Sequence, residues 1–139
     1  MSATVTQAEA IAHILAHHRT VAVVGLSPKP HRESFGVARY MQMQGWRVLP
    51  INPLASEVLG EKAYPSLTEA AKHHAIELVN VFRNSDDVPP VVDEAIAVGA
   101  QAVWLQLGIR HEGAADKARK AGLLVVQDKC LKVEHAHQT

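Results

Sequence analysis

Four apolar residues, Val21-Ala-Val-Val24, run without alternation into Gly25, and this stretch constrains the fold more than any other. A run that is apolar at every position suits a strand covered on both faces, which requires a sheet between two layers of helices. After Gly25 the character changes. Ser27, Lys29, His31 and Arg32 share a short loop with Pro28 and Pro30, and an apolar-periodic segment begins near Ser34. Strand, tight turn and helix in that order put the N–H groups of a first helical turn, and the positive end of its dipole, beside a cluster of basic side chains. Such a junction is suited to a phosphate.

The alternation continues along the chain. Residues 4–18 read as an amphipathic helix, with Thr6 and Glu9 at capping-box spacing and Ala10, Ile11, Ile14 and Leu15 on one face. Segment 34–44 is helical, with Phe35, Val37, Ala38, Met41 and Met43 as its apolar positions and Gly45 as its stop. Trp46–Ile51 is the next strand, closed by Asn52-Pro53, so the two strands are expected to be parallel with a right-handed crossover. Residues 54–65 are irregular, with a short extended piece at Lys62–Tyr64. Ser66 and Glu69 open a helix to about His74. A strand at Glu77–Phe82 follows, and Ser85-Asp86-Asp87 caps a helix through Val98 that tolerates Pro89 and Pro90 in its first turn. Strand 102–107, helix 112–121, strand 123–127 and a short extended segment at Cys130–Val133 complete the chain. The predicted architecture is a single α/β domain over residues 1–139. It is a Rossmann-like three-layer fold with a parallel sheet of about five strands, ordered 3-2-1-4-5, and helices on both faces. Ligands of such sheets bind at the carboxyl ends of the strands, where the winding reverses.

Which ligand depends on the loops. A dinucleotide fingerprint needs Gly-x-Gly-x-x-Gly and an acidic residue about 20 positions on. Here only Gly25 of the three glycines is present, and the second strand ends in Asn52-Pro53 with no carboxylate. No Gly-Lys-Ser/Thr follows Gly25, so the Walker pattern fails too. Lys29, His31 and Arg32, with Ser27 and Ser34, offer charge-assisted hydrogen bonds to several phosphate oxygens. That matches a ligand with more than one phosphate, such as coenzyme A; the plainer alternative is a solvated basic turn. Lys+Arg and Asp+Glu balance at 14 each, so no global field favours nucleic acid or an anionic membrane. The single Cys excludes an intramolecular disulfide. The N-terminus lacks the pattern of a signal peptide, and no apolar run is long enough to span a bilayer, so a cytoplasmic protein is expected.

The motifs Val24-Gly-x-Ser27-x-Lys-Pro30, Tyr40…Gly45-Trp-x-Val48…Pro50-x-Asn-Pro53 and Gly60-Glu-Lys-Ala-Tyr-Pro-Ser-Leu67 occur in order, followed by Val81-Phe-Arg83, Gly99-Ala…Val103-Trp-Leu-Gln-Leu-Gly108 and Asp128-Lys-Cys130…Glu134-His135. Together they resemble the small bacterial CoA-binding domain proteins, relatives of the amino-terminal domain of the succinyl-CoA synthetase α subunit. The resemblance covers about residues 15–137 and implies a fold that binds coenzyme A, usually without demonstrated catalysis. Carried onto this chain, it implies a phosphate loop of Gly25, Ser27, Lys29 and Arg32; Leu26 and Ser34 are expected beside them as cofactor-binding residues. Asn52 and Pro53 would flank the adenosine, Phe82 and Arg83 would line the nucleotide groove, and Gln106, within Trp104–Gly108, would continue the site edge.

No catalytic constellation emerges. His111, Cys130 and His135 are the candidates, but there is no Gly-x-Ser-x-Gly elbow, no carboxylate pair and no Cys/His metal spacing. His13, His17 and His18 read as a solvated helix end, His135 and His137 as a solvated polar tail, and Cys130 as a small core residue. The expected function is a non-catalytic module binding coenzyme A or an acyl-CoA as a small-molecule ligand, with an unidentified protein partner allowed. The alternative is an NAD(P)- or CoA-dependent enzyme, or an enzyme subunit acting with a partner chain.

Overall fold

A computed structural model of the chain describes residues 5–138. Five parallel strands form the central sheet: β1 (Thr20–Val24), β2 (Arg47–Ile51), β5 (Leu78–Val81), β6 (Ala102–Leu105) and β7 (Leu124–Val126). A two-stranded antiparallel piece, β3 (Glu57–Val58) and β4 (Glu61–Lys62), occupies the segment expected to be irregular. The helices are α1 (Gln7–His17), α2 (Glu33–Met43), α3 (Leu67–Ala71), α4 (Val88–Ala97), α5 (Glu112–Lys120) and α6 (Leu131–Gln138). Residue 4, the first of the expected opening helix, lies outside the described residues.

Alternate strand positions serve two cores, as a period of two demands. Val21, Val23, Val48, Leu78, Ala102 and Trp104 face α1, α2 and α6, whereas Ala22, Val24, Leu49, Val79, Val81 and Val103 face α3, α4 and α5. The three-layer α/β fold is therefore as expected. Thr6 closes the expected capping box, accepting from Glu9 N while Glu9 accepts at Thr6 N. Ala10, Ile11, Ile14 and Leu15 are its buried face.

The strand order differs from expectation. It is β2-β1-β5-β6-β7, so Leu78–Val81 pairs with β1 rather than lying outside β2. The position outside β2 is held by a single bridge, Ile51 to Tyr64, with Tyr64 N donating to Pro50 O at 2.9 Å and Asn52 N to Tyr64 O at 2.9 Å. The segment after β2 contributes a stub there, and the next full strand crosses to the other side of β1. The winding reverses between β1 and β5, which places the crevice where Gly25 and Phe82 emerge.

Four local expectations also fail. Residues 131–138 form a helix instead of an extended piece, because Leu131 is buried and Trp104 Nε1 donates to Lys129 O at 2.8 Å just ahead of it. Met43 is 71% exposed, on the side of α2 opposite Val37, Ala38 and Met41. Ser85–Asp87 form a 3-10 turn, and no side chain from them caps α4. His18 is 2% exposed, because the chain leaves α1 in an extended conformation and carries the ring beneath the start of β1.

Candidate functional site

The ends of β1, β2 and β5 are locked around Gly25. Its N–H donates to Ile51 O at 3.0 Å, and Phe82 N donates to Val24 O at 2.9 Å. Gly25 has φ +86°, and a Cβ there would run into the Phe82 carbonyl oxygen, so only glycine lets the two strand ends approach this closely. The loop beyond is folded by its own hydroxyls. Ser34 Oγ accepts from Ser27 N at 3.0 Å, Ser27 Oγ accepts from Lys29 N at 3.1 Å, and Lys29 O accepts from Arg32 N at 3.0 Å. Both serines therefore shape the loop first. Leu26 is fully buried, so it presents only backbone, and its carbonyl accepts from Asn52 Nδ2 at 2.9 Å. Asn52 Oδ1 in turn accepts from Leu54 N at 2.8 Å, which ties the loop after β2 to the loop after β1.

Arg32 is the N-cap of α2, in an extended conformation and without a side-chain cap. The contrast with its neighbours is informative. Thr6, Ser66 and His111 each accept a first-turn amide of α1, α3 and α5, and α4 has proline in place of early donors. Among α1–α5, α2 alone has neither a side-chain cap nor a proline in its first turn, and Arg32, Glu33 and Ser34 at its start line a cavity at the strand ends.

Two adjoining cavities open here. One of about 430 Å³ is lined by Gly25, Ser27, Lys29, Arg32, Glu33, Ser34 and Phe82. The other, about 710 Å³, shares Arg32, Glu33 and Phe82 and extends past Arg83, Asn84 and Ser85 to Gln106 and the 107–109 loop. The structure thus brings Gly25, Ser27, Lys29, Arg32, Ser34 and Phe82 around one space and places Arg83 and Gln106 in the next. Leu26 sits beneath the first. Asn52, Pro53 and His31 line neither cavity, although Leu54, one residue on, is 95% exposed on the β2 side.

Two lining residues, Glu33 and Asp87, lie outside the sequence expectation, whereas Asn84, Ser85 and Ile109 fall within the post-strand loops where the site was expected. Glu33, the first helical residue, lines both cavities; its position in the first turn of a helix was the available signal. Asn84, Ser85 and Ile109 follow strands, and Ser85 Oγ accepts from Arg110 N at 3.1 Å, joining the two loops. Gln106 is buried rather than a rim residue. Its Oε1 accepts from Asn80 Nδ2 and Leu131 N, each at 3.3 Å, and its Nε2 donates to Glu33 Oε1 at 3.5 Å.

The candidate catalytic groups have structural employment. His111 Nδ1 accepts from Ala114 N at 3.0 Å as the cap of α5. His135, expected to be solvated, shares a 2.9 Å hydrogen bond between its Nδ1 and Tyr40 Oη, and partial burial lowers its pKa below the usual imidazole value. Cys130 is half-buried against the α1/α2/α6 core. Among the described residues no three His, Cys, Asp or Glu side chains gather as a metal site, and no helix is long and apolar enough to cross a membrane.

Comparison with known proteins gives the family and the fold. The model of a family described as CoA binding domain matches residues 19–136. An uncharacterized protein of Bacillus subtilis, YneT, is 40% identical over 126 residues, covering 91% of this chain and 92% of its own. The solved structure of a hypothetical protein from Pyrococcus horikoshii is 36% identical and superposes with a TM-score of 0.88, covering 99% of this chain and 98% of its own. A dinucleotide-forming acetyl-coenzyme A synthetase from Candidatus Korarchaeum cryptofilum shares the fold at 24% identity and a TM-score of 0.69, over 81% of this chain but 26% of that longer one.

Proposed function

Because the chain belongs to the CoA binding domain family, we propose that it binds coenzyme A or an acyl-CoA at the loop after β1, as a binding module without catalysis of its own. The observation that carries this reading is the uncapped start of α2 facing a cavity with Lys29 and Arg32 in its wall. Neither cation forms a hydrogen bond or ion pair through its side chain among the described residues, so both are available to an anion. In this reading the first-turn amides of α2 donate to pyrophosphate oxygens, and the two side chains neutralise the remaining charge. The adenosine lies towards Asn52, Pro53 and the exposed Leu54, and the pantetheine arm passes Phe82 into the second cavity. The non-catalytic part of the proposal is supported by His111 and His135, whose Nδ1 atoms are committed to holding helices in place.

A thermal-shift screen of coenzyme A, acetyl-CoA, NAD and NADP tests it. A ligand at about 100 times its Kd adds about 2.7 kcal/mol to stability, a readily measured rise in Tm. Coenzyme A and acetyl-CoA are expected to give that rise. Stabilisation by NAD with none by coenzyme A overturns the proposal.

A further inference from the structure

The two cavities differ in what an extended ligand would bring to them, and the second has a cation, Arg83, that does not line the first. Arginines elsewhere are engaged: Arg19 donates to Leu15 O, Arg47 pairs with Glu61, Arg110 with Glu112 and Asp128, and Arg119 with Asp116. Arg32, Arg39 and Arg83 have no such side-chain partner among the described residues, and of these Arg32 and Arg83 line cavities. Arg32 belongs to both. Arg83 lines only the second, and Lys29 only the first. Glu33 and Asp87 are in the same wall, yet neither forms an ion pair with Arg83.

Building on the coenzyme A reading, we infer that the second cavity receives a carboxylate at the end of the ligand's acyl group, with Arg83 as its partner, so that the preferred ligand is the CoA thioester of a dicarboxylic acid. Sheet order sets the direction. With adenosine beside β2 and pyrophosphate at β1, the arm must run over β5 towards β6, whose end lies about 10 Å from that of β1 at ordinary strand spacing. The ribose phosphate stays on the β2 side with the adenosine, so the anion that reaches Arg83 comes from the thiol end. A neutral acyl group leaves the guanidinium with water alone, whereas a carboxylate fills its fork with two parallel hydrogen bonds. Gln106 Nε2, held to Glu33 only at 3.5 Å, is a second donor at the same wall.

The test compares succinyl-CoA with butyryl-CoA, and malonyl-CoA with propionyl-CoA, each pair differing by a carboxylate in place of a methyl group. Calorimetric titration is expected to show at least one diacid thioester binding about tenfold more tightly than its neutral partner, the effect of one good charge-assisted contact. Arg83→Gln should bring that ratio close to one, and Arg83→Lys should keep part of it. The exposed position of Arg83 lets both variants fold. A ratio near one in the native protein, or a ratio that Arg83→Gln leaves unchanged, overturns the inference while the coenzyme A reading stands. So does an equal loss for all CoA species that spares dephospho-CoA, because it assigns Arg83 to the ribose phosphate. If no CoA species binds at all, both readings fall.

Discussion

The two ends of the sheet are built from similar residues put to opposite uses. At the amino ends of the strands polar groups are spent on one another. Glu77 Oε1 accepts from Arg19 N at 2.8 Å and Thr20 N at 2.9 Å, Arg19 Nη1 donates to Leu15 O at 2.9 Å, and the guanidinium stacks 5.7 Å from the Trp46 ring. At the carboxyl ends the side chains of Lys29, Arg32 and Arg83 are left without partners among the described residues, and the first turn of α2 has no side-chain cap. Cavity size does not distinguish the ends, since a groove of about 640 Å³ lined by His13, His18 and Gln101 lies at the amino end. Unspent donors do. The proposed site is set apart by charge that folding has not consumed.

The largest expected effect comes from breaking the carboxyl end where it is tightest. Gly25→Ala puts a methyl group against the Phe82 carbonyl at a φ of +86°. Strain and steric displacement together should cost about 3 kcal/mol or more, read as a lower urea midpoint, and coenzyme A affinity should collapse with it. A fully stable Gly25→Ala protein would mean that the β1 and β5 ends can separate without penalty.

Lys29→Ala and Arg32→Ala sharpen the comparison without touching the core. Both side chains are exposed and unpartnered, so each change should leave stability within about 0.5 kcal/mol while weakening coenzyme A about tenfold. Titrating dephospho-CoA in parallel separates two roles. A smaller loss for dephospho-CoA places the cations on the ribose phosphate, and equal losses place them on the pyrophosphate. No loss in either titration returns the loop to a solvated basic turn.

How much of this was legible in the sequence follows from how local each feature is. The strand at Val21–Val24, the turn at Gly25 and the cation loop could be read because each depends on its own few residues, and the structure gathers Ser27, Lys29, Arg32 and Ser34 at one cavity. Strand order was not legible. It turns on whether residues 54–65 supply a strand, and a one-bridge stub at Tyr64 has no sequence signature distinct from a loop. The helix α6 was missed because only Leu131 is buried within it, and its place is fixed by Trp104 and Tyr40 from distant parts of the chain. Gln106 read as a rim residue, but its amide is held inside by Asn80 and Leu131. His18 read as solvated for the same reason: its burial is decided by the strand it precedes and by Gln101 and Glu77 from other loops.

That last residue carries the smallest predicted effect, and it belongs to the amino end, where polar groups are otherwise satisfied. His18 Nδ1 is buried without a hydrogen-bond partner among the described residues. Burial pushes its pKa below the usual value near 6.5, with Glu77 pulling upward, the neighbouring His13 and His17 pushing down, and a Gln101 hydrogen bond opposing them. The folded protein therefore resists protonation that the unfolded chain accepts. The stabilisation from a neutral His18 is complete above about pH 6.5, and it is lost as pH falls below that value towards the lower pKa of the folded state. His74 and His135 are depressed in the same direction, so they share the slope. Denaturation midpoints at about pH 7.5 and about pH 5.5 should differ, with the lower pH less stable. His18→Phe keeps a ring of similar shape, removes the unpartnered nitrogen and should reduce the difference. An equal difference in native and variant proteins would move the pH response to His74 and His135, and would leave the amino end as insensitive to protons as its paired charges suggest.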